Sequence, residues 1–263
     1  MIAKSACGGR VLNRKSYAMQ QAIGGRFTGP VSRSLMYFAW PRGCWKEVTR
    51  GILERGHLFE HAIAAVAYDH SQDVRNFEQE FGNHFDEILP VANIKELREV
   101  VGWLPCLQRL VRDDPNAVIF AAHAKGVTHP NNPVIRRWTH EMTEINLDYW
   151  PAVEQAFQSH AMVGAFRRKG TFPVVAHTSG AQSEYELWHY SGTFYWMRSK
   201  DLFHRDWRKM DWKWYGAESY PGVQYSAEQC ACLVGDWCGD LYQQATWDEL
   251  QPQIDEWKDR WRN

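Results

Sequence analysis

The stretch that decides the fold is Ala117-Val-Ile-Phe-Ala-Ala-His-Ala-Lys-Gly126. Its apolar run, 117–122, follows the turn signal Asp113-Asp-Pro-Asn116 and stops at His123, Ala124, Lys125 and Gly126. A run this short, rich in β-compatible residues and bounded by a turn, predicts a central strand of a mostly parallel sheet, buried on both faces. In open α/β sheets, ligands bind in the crevice beyond the carboxyl ends of the strands. His123 and Lys125 are therefore expected beside a ligand, with Gly126 letting the backbone pass close to it. Lysine, a compact point charge, suits a diphosphate there. A strand that simply ends in polar surface residues is the competing reading.

Upstream, the pattern repeats. Ser34-Leu-Met-Tyr-Phe-Ala-Trp40 reads as a first strand ended by Pro41-Arg-Gly43, and Trp45, Val48, Ile52 and Leu53 follow helical spacing. A second buried strand, 61–68, delivers Asp69; a short helix over 73–81 and a third strand over 87–92 follow, Pro90 hinting at a sheet edge. Asn93 stands where a helix N-cap belongs, ahead of Lys95, Glu96, Arg98 and Glu99, and that helix is expected to run towards Arg112. Strand–helix alternation implies βαβ units and a parallel sheet. Because such crossovers are right-handed, the strand ends share one edge, which gathers Trp40, Asp69, Asn93, His123 and Lys125.

Downstream, a helix should carry Ile135, Trp138, Met142 and Ile145, with a second after Trp150-Pro151. Strands are predicted over 161–166 and 172–175. The aromatic segment Leu187-Trp-His-Tyr-Ser-Gly-Thr-Phe-Tyr-Trp-Met197 reads as one strand broken at Gly192, where a backbone or ligand comes close. Trp247, Leu250, Ile254, Trp257 and Trp261 mark the packing face of a closing helix.

Composition bounds the function without choosing it. The 263 residues are 44% hydrophobic and 23% charged with a net charge of −1, so no global field draws in nucleic acid or an anionic membrane. Up to Ser34 the chain is basic, Gly- and Ser-rich and without acids, which predicts a segment partly disordered or draped on the surface. It has no continuous apolar core of a secretory signal, and no apolar run spans a bilayer. Six scattered cysteines without an export signal point to a reduced, cytoplasmic setting, and Cys230-Ala-Cys232 with Cys238 lacks paired zinc spacing. The 14 tryptophans suit either sugar and base stacking or a core, and the core is the simpler reading for most of them.

Three segments are together similar to a family of bacterial and phage glycosyltransferase-like proteins. His123-Ala-Lys-Gly126 resembles that family's His-Thr-Lys-Gly element, and His189-Tyr-Ser-Gly-Thr-Phe-Tyr-Trp196 resembles its His-Tyr-Ser-Gly-Asn-Phe-Trp-Trp element. Glu218, after Trp214 and Gly216, resembles the glutamate that follows, and Asn93 with Arg98-Glu99 fits the helix before the His-Lys strand. The departures are Ala124, Thr193 and Tyr195. The resemblance implies a GT-A-like, Rossmann-like fold: a basic segment 1–33, then one domain over 34–263, with a nucleotide-sugar half (34–126) and an aromatic-rich acceptor half (127–263).

The implied activity is transfer of a sugar, with inversion, from a nucleotide-sugar, a UDP-sugar first, to an acceptor hydroxyl of a glycan. Trp40, Asp69, Asn93, His123, Lys125 and Gly126 would bind the donor. Glu218, as general base, and His189 would be catalytic, while Ser191, Gly192 and Trp196 would line the sugar and acceptor pocket. In most GT-A enzymes Asp-x-Asp at this strand end holds a divalent metal. His-Ala-Lys here implies reduced dependence on manganese or magnesium, Lys125 neutralising the diphosphate instead. Three other readings remain: glucosylation of hydroxymethylated bases in phage DNA, a non-catalytic carbohydrate-binding protein, and a nucleotide-binding structural protein that binds donor without turning it over. A turn-capping surface acid is the plain alternative for Glu218, as a satisfied core histidine is for His189.

Overall fold

A computed structural model of the chain describes residues 23–112, 114–169 and 188–262. The first half alternates as expected: β1 (Ser32–Ala39), α1 (Trp45–Leu53), β2 (His61–Tyr68), α2 (Ser71–Phe81), β3 (Glu87–Ala92), α3 (Val100–Arg109) and β4 (Ala117–His123). Then come α4 (Pro133–Leu147), α5 (Trp150–Ala156), β5 (Met162–Gly164), β6 (Arg167–Lys169), β7 (Trp188–Tyr190), β8 (Tyr195–Arg198), α6 (Ser199–Phe203), α7 (Gly216–Gln224), β9 (Cys230–Cys232) and α8 (Gln244–Trp261). The expected strand over 172–175 and the basic residues 1–22 lie outside the described residues.

Seven strands form one sheet in the order β3-β2-β1-β4-β8-β5-β9. β1 pairs in parallel with β2 and β4, and β2 with β3; β8 alone runs against its neighbours. The mixed α/β, mostly parallel architecture is thus as the sequence implied, and Pro90 does sit on an edge strand. Alternation within the strands explains the two cores. Leu35, Tyr37, Val66, Val118 and Phe120 face one side, packed against α1, α2, α4 and α8. Met36, Phe38, Ala65, Ile119 and Ala121 face the other, under α3 and α7. Eight of the 14 tryptophans are buried, so core filling is their main use.

Two expectations need correction. Asn93 caps no helix. Arg98 has a left-handed backbone, φ 48°, which no α-helix accommodates, so α3 starts only at Val100 and ends at Arg109. The 187–197 segment is two strands in two sheets rather than one interrupted strand: β7 pairs with β6 in a separate ribbon, while β8 joins β4 and β5 in the main sheet. The turn between them contains Gly192 at φ 97° and Thr193 at φ 57°. The described part of the basic segment is draped on the domain: the Gly24 and Gly25 N–H groups donate to Asp201 Oδ2 (3.2 Å) and the Gln158 carbonyl (2.9 Å).

Candidate functional site

β1 is the switch point of the sheet. The chain goes from β1 to β2 and β3 on one side, then crosses to β4 on the other. A cavity of about 460 Å³ opens there, at the carboxyl ends of the parallel strands. Its lining comes from the end of β1 (Phe38, Trp40), from Val91 and Asn93 after β3, from Arg98 and Glu99 before α3, and from 123–129. Five of the six proposed donor-site residues line it: Trp40, Asn93, His123, Lys125 and Gly126.

The sixth, Asp69, is bonded to two of them. Its carboxylate accepts from Asn93 Nδ2 at 2.9 Å and from the Trp40 indole N–H at 3.2 Å. Arg42 ties this group down, donating to Asp69 at 3.0 Å and to both oxygens of Asp73 at 2.6 and 2.9 Å. The Asn93 hydrogen bond, with Trp40 and Arg42 behind it, holds the Asp69 carboxyl below its usual range. Arg42 does the same, more strongly, for Asp73, which also accepts the N–H groups of Asp69 and His70 at the start of α2.

His123 and Lys125, two residues apart, are held differently. The His123 Nδ1 lies 2.6 Å from Glu99 Oε1, while Nε2 is buried and has no hydrogen-bond partner among the described residues. Burial alone would raise the Glu99 carboxyl, but the His123 pair outweighs it and Glu99 stays below its ordinary value. Lys125 has no carboxylate in ion-pair range among the described residues. Its ammonium sits 3.8 Å from the centre of the Trp138 ring and 5.7 Å from that of Tyr242, an aromatic corner that favours a cation. Arg98 lies over Trp214 at 4.9 Å, and Lys95 lines the same cavity.

The second group of candidates stands beyond Trp138. Glu218, in the first turn of α7, accepts the Gly192 N–H on Oε1 at 2.6 Å. It is half-buried, and its bond to the β7–β8 turn is also the one that a turn-capping acid makes. His189 and Ser191 are buried beside it. Burial pushes the His189 imidazole below its usual value; Glu218 pulls it back only partly, and Arg168 and Lys125 push it further down. His189 is therefore neutral at pH 7, within electrostatic reach of both Glu218 and Lys125. Glu218 and His189 do not line the main cavity; Lys125 is the link between the two groups.

Trp196 is the candidate that the structure removes. It is 1% exposed, donates its indole N–H to the Asn146 carbonyl at 2.9 Å, and packs on Phe120. It is a core residue, because β8 lies inside the sheet and turns this side chain towards α4 and α5. Both glycines are left-handed, which favours glycine at each. A Cβ would also meet α4, at Ile135 Cγ2 2.5 Å from Gly126 and at Met142 Sδ, near the end of a flexible side chain, 2.6 Å from Gly192.

Trp138 and Tyr242 are site residues that the sequence did not single out, and Arg98-Glu99 entered only as a pair fitting the helix before the His-Lys strand. Trp138 was visible only as a core position, and nothing local marks Tyr242, which lies more than a hundred residues from its partner. Among the described residues, no group of three or more His, Cys, Asp or Glu side chains is placed to hold a metal ion, and no helix is long and apolar enough to cross a membrane. No protein-family model matches the chain, and no curated protein matches it.

Proposed function

We propose that the switch-point cavity binds a nucleoside diphosphate sugar, a UDP-sugar first, and that the protein transfers the sugar to an acceptor hydroxyl of a glycan. The observation that carries this reading is the balance of charge in the cavity. Lys95, Arg98 and Lys125 line it with no ion pair to a carboxylate among the described residues, while Glu99, the acid of its lining, is hydrogen-bonded to His123, and Asp69 behind it is bonded to Asn93, Trp40 and Arg42. Three cations outside ion-pair range of a carboxylate, at the carboxyl edge of a parallel sheet, favour a polyanion. The sheet, with its parallel first half and one antiparallel strand, is compatible with the GT-A-like domain that the sequence resemblance implies.

In this reading Trp40, beside Asp69 and Asn93, meets the nucleoside, and Lys125 with His123 holds the diphosphate. The bond from the anomeric carbon to the diphosphate oxygen breaks and its electron pair leaves with the diphosphate. The acceptor oxygen forms the new bond and gives its proton to Glu218. Gly192 keeps one oxygen of Glu218 in place, leaving Oε2 for the acceptor. Lys125 supplies the charge that a divalent metal supplies elsewhere, so transfer should persist in EDTA.

The test is release of nucleoside diphosphate from a panel of nucleotide sugars, with saccharides and hydroxymethylated DNA as acceptors, each with manganese and with EDTA. Turnover of one donor with a saccharide, surviving EDTA, supports the reading. Transfer to DNA would replace the acceptor, and saccharide binding without binding of any nucleotide would overturn it.

A further inference from the structure

Glu99 is the residue just before α3, where a carboxylate commonly caps the free N–H groups of a helix. Here it makes no capping bond, and its carboxylate is turned to His123 instead, at 2.6 Å. The left-handed Arg98 makes that turn, sending its own side chain outward onto Trp214. His123 in consequence has one nitrogen engaged with an ionised acid and the other, Nε2, buried and unpartnered among the described residues, on a side chain that lines the cavity. Buried polar atoms without a partner are rare enough to need a reason.

We propose that Glu99 is a positioning residue that holds His123 as an imidazolium, whose Nε2–H donates a hydrogen bond to a phosphate oxygen of the bound diphosphate. A ring that donates from both nitrogens, to a carboxylate on one side and a phosphate on the other, is the imidazolium and no other form. The proton stays on the ring, and the charge adds to that of Lys125. The proposal rests on the cavity being the diphosphate site argued above.

Several charged groups surround His123. From the segment before α3 come Glu99, Arg98 and Lys95, and from the loop after β4, Lys125 and His129; the turn before β8 contributes the edge of Phe194, and beyond β1 Asp69 is paired with Arg42. Lysine and arginine keep their charge between pH 6.5 and 8. His129 is the other imidazole that lines the cavity, and its replacement is the control.

The experiment measures affinity for inorganic pyrophosphate and for UDP by calorimetry at pH 6.5 and pH 8, in the wild type and in Glu99→Gln, His123→Gln and His129→Gln. Glu99→Gln keeps an acceptor for the Nδ1–H and removes the negative charge that favours a second proton on the ring. Glu99→Gln should therefore bind about tenfold more weakly than the wild type at pH 8 and recover most of the loss at pH 6.5. His123→Gln should be weakened at both, and His129→Gln should keep the wild-type profile.

Equal binding by Glu99→Gln and the wild type at pH 8, or a pH-dependent loss in Glu99→Gln that persists when His123 is also replaced, overturns the proposal and leaves the nucleotide-sugar reading standing. Pyrophosphate binding with the expected Glu99 and His123 behaviour, but no preference for a nucleotide, supports the proposal and defeats the nucleotide-sugar reading. No binding of either anion defeats both.

Discussion

Glu218 Oε1 and the backbone N–H of Gly192 are joined by a 2.6 Å hydrogen bond that fastens α7 to the turn between β7 and β8. The bond fixes one oxygen of the acid against a glycine whose φ of 97° strains any residue with a side chain. Glu218→Gln keeps an acceptor for that N–H and loses only the basicity. Nucleotide binding and thermal stability should stay within error of the wild type, while turnover falls by about 10²- to 10⁴-fold, the usual contribution of a general base. Undiminished turnover would assign the base elsewhere.

Lys125 has no carboxylate in ion-pair range among the described residues and rests on Trp138. A nucleoside diphosphate at 100 times its dissociation constant stabilises by about 2.7 kcal/mol, which for a chain of this size raises Tm by about 5–10 °C. That shift should survive EDTA and disappear in Lys125→Met, whose apolar chain still covers the indole. A full shift in Lys125→Met would contradict its role.

Thr193 holds φ 57° in a buried turn, a conformation costly for a β-branched residue and tolerated by asparagine. Thr193→Asn should raise stability by about 1 kcal/mol, read as a higher urea midpoint at unchanged slope. A lower midpoint would show that the threonine is held by packing that outweighs its backbone strain.

Lys258 on α8 is buried between two acids of α4, 2.8 Å from Glu141 and 2.6 Å from Glu144. Lys258→Met leaves both carboxylates without their cation and should cost about 3–5 kcal/mol in denaturant unfolding. Burial lowers the lysine, but the two acids more than compensate and its folded pKa lies above 10.5. Its stabilisation is thus complete below that value and lost as pH rises through the folded pKa.

Asp73 titrates in the opposite sense. Arg42 first, and then the N–H groups of His70 and Asp69, depress its carboxyl far below 3.8 against the effect of burial. The stabilisation it contributes is present above pH 3.8 and lost as pH falls towards the folded pKa. Asp73→Asn should therefore be less stable than the wild type at neutral pH, with the gap closing in acid. A constant gap from neutral pH down to about pH 2 would show that linkage is not the cause.

The sequence by itself determined the four parallel strands, their order of appearance and the edge on which their polar ends collect. Short apolar runs bounded by Pro, Gly and Asp can only be buried strands when helices separate them, and right-handed crossovers then bring Trp40, Asp69, Asn93, His123 and Lys125 to one side. Those are local and topological constraints, readable from period and turn chemistry. The tertiary structure decided the partners. The pairing of Glu99 with His123, the Trp138 and Tyr242 corner under Lys125, and the bond between Glu218 and Gly192 cross 13 to 117 residues of chain, and none has a local signature. Trp196 was misread for the same reason: an aromatic beside polar residues looks alike in a pocket or a core until the neighbouring layer is in place. Gly126 and Gly192 were legible as close approaches, but only the position of α4 shows what approaches them.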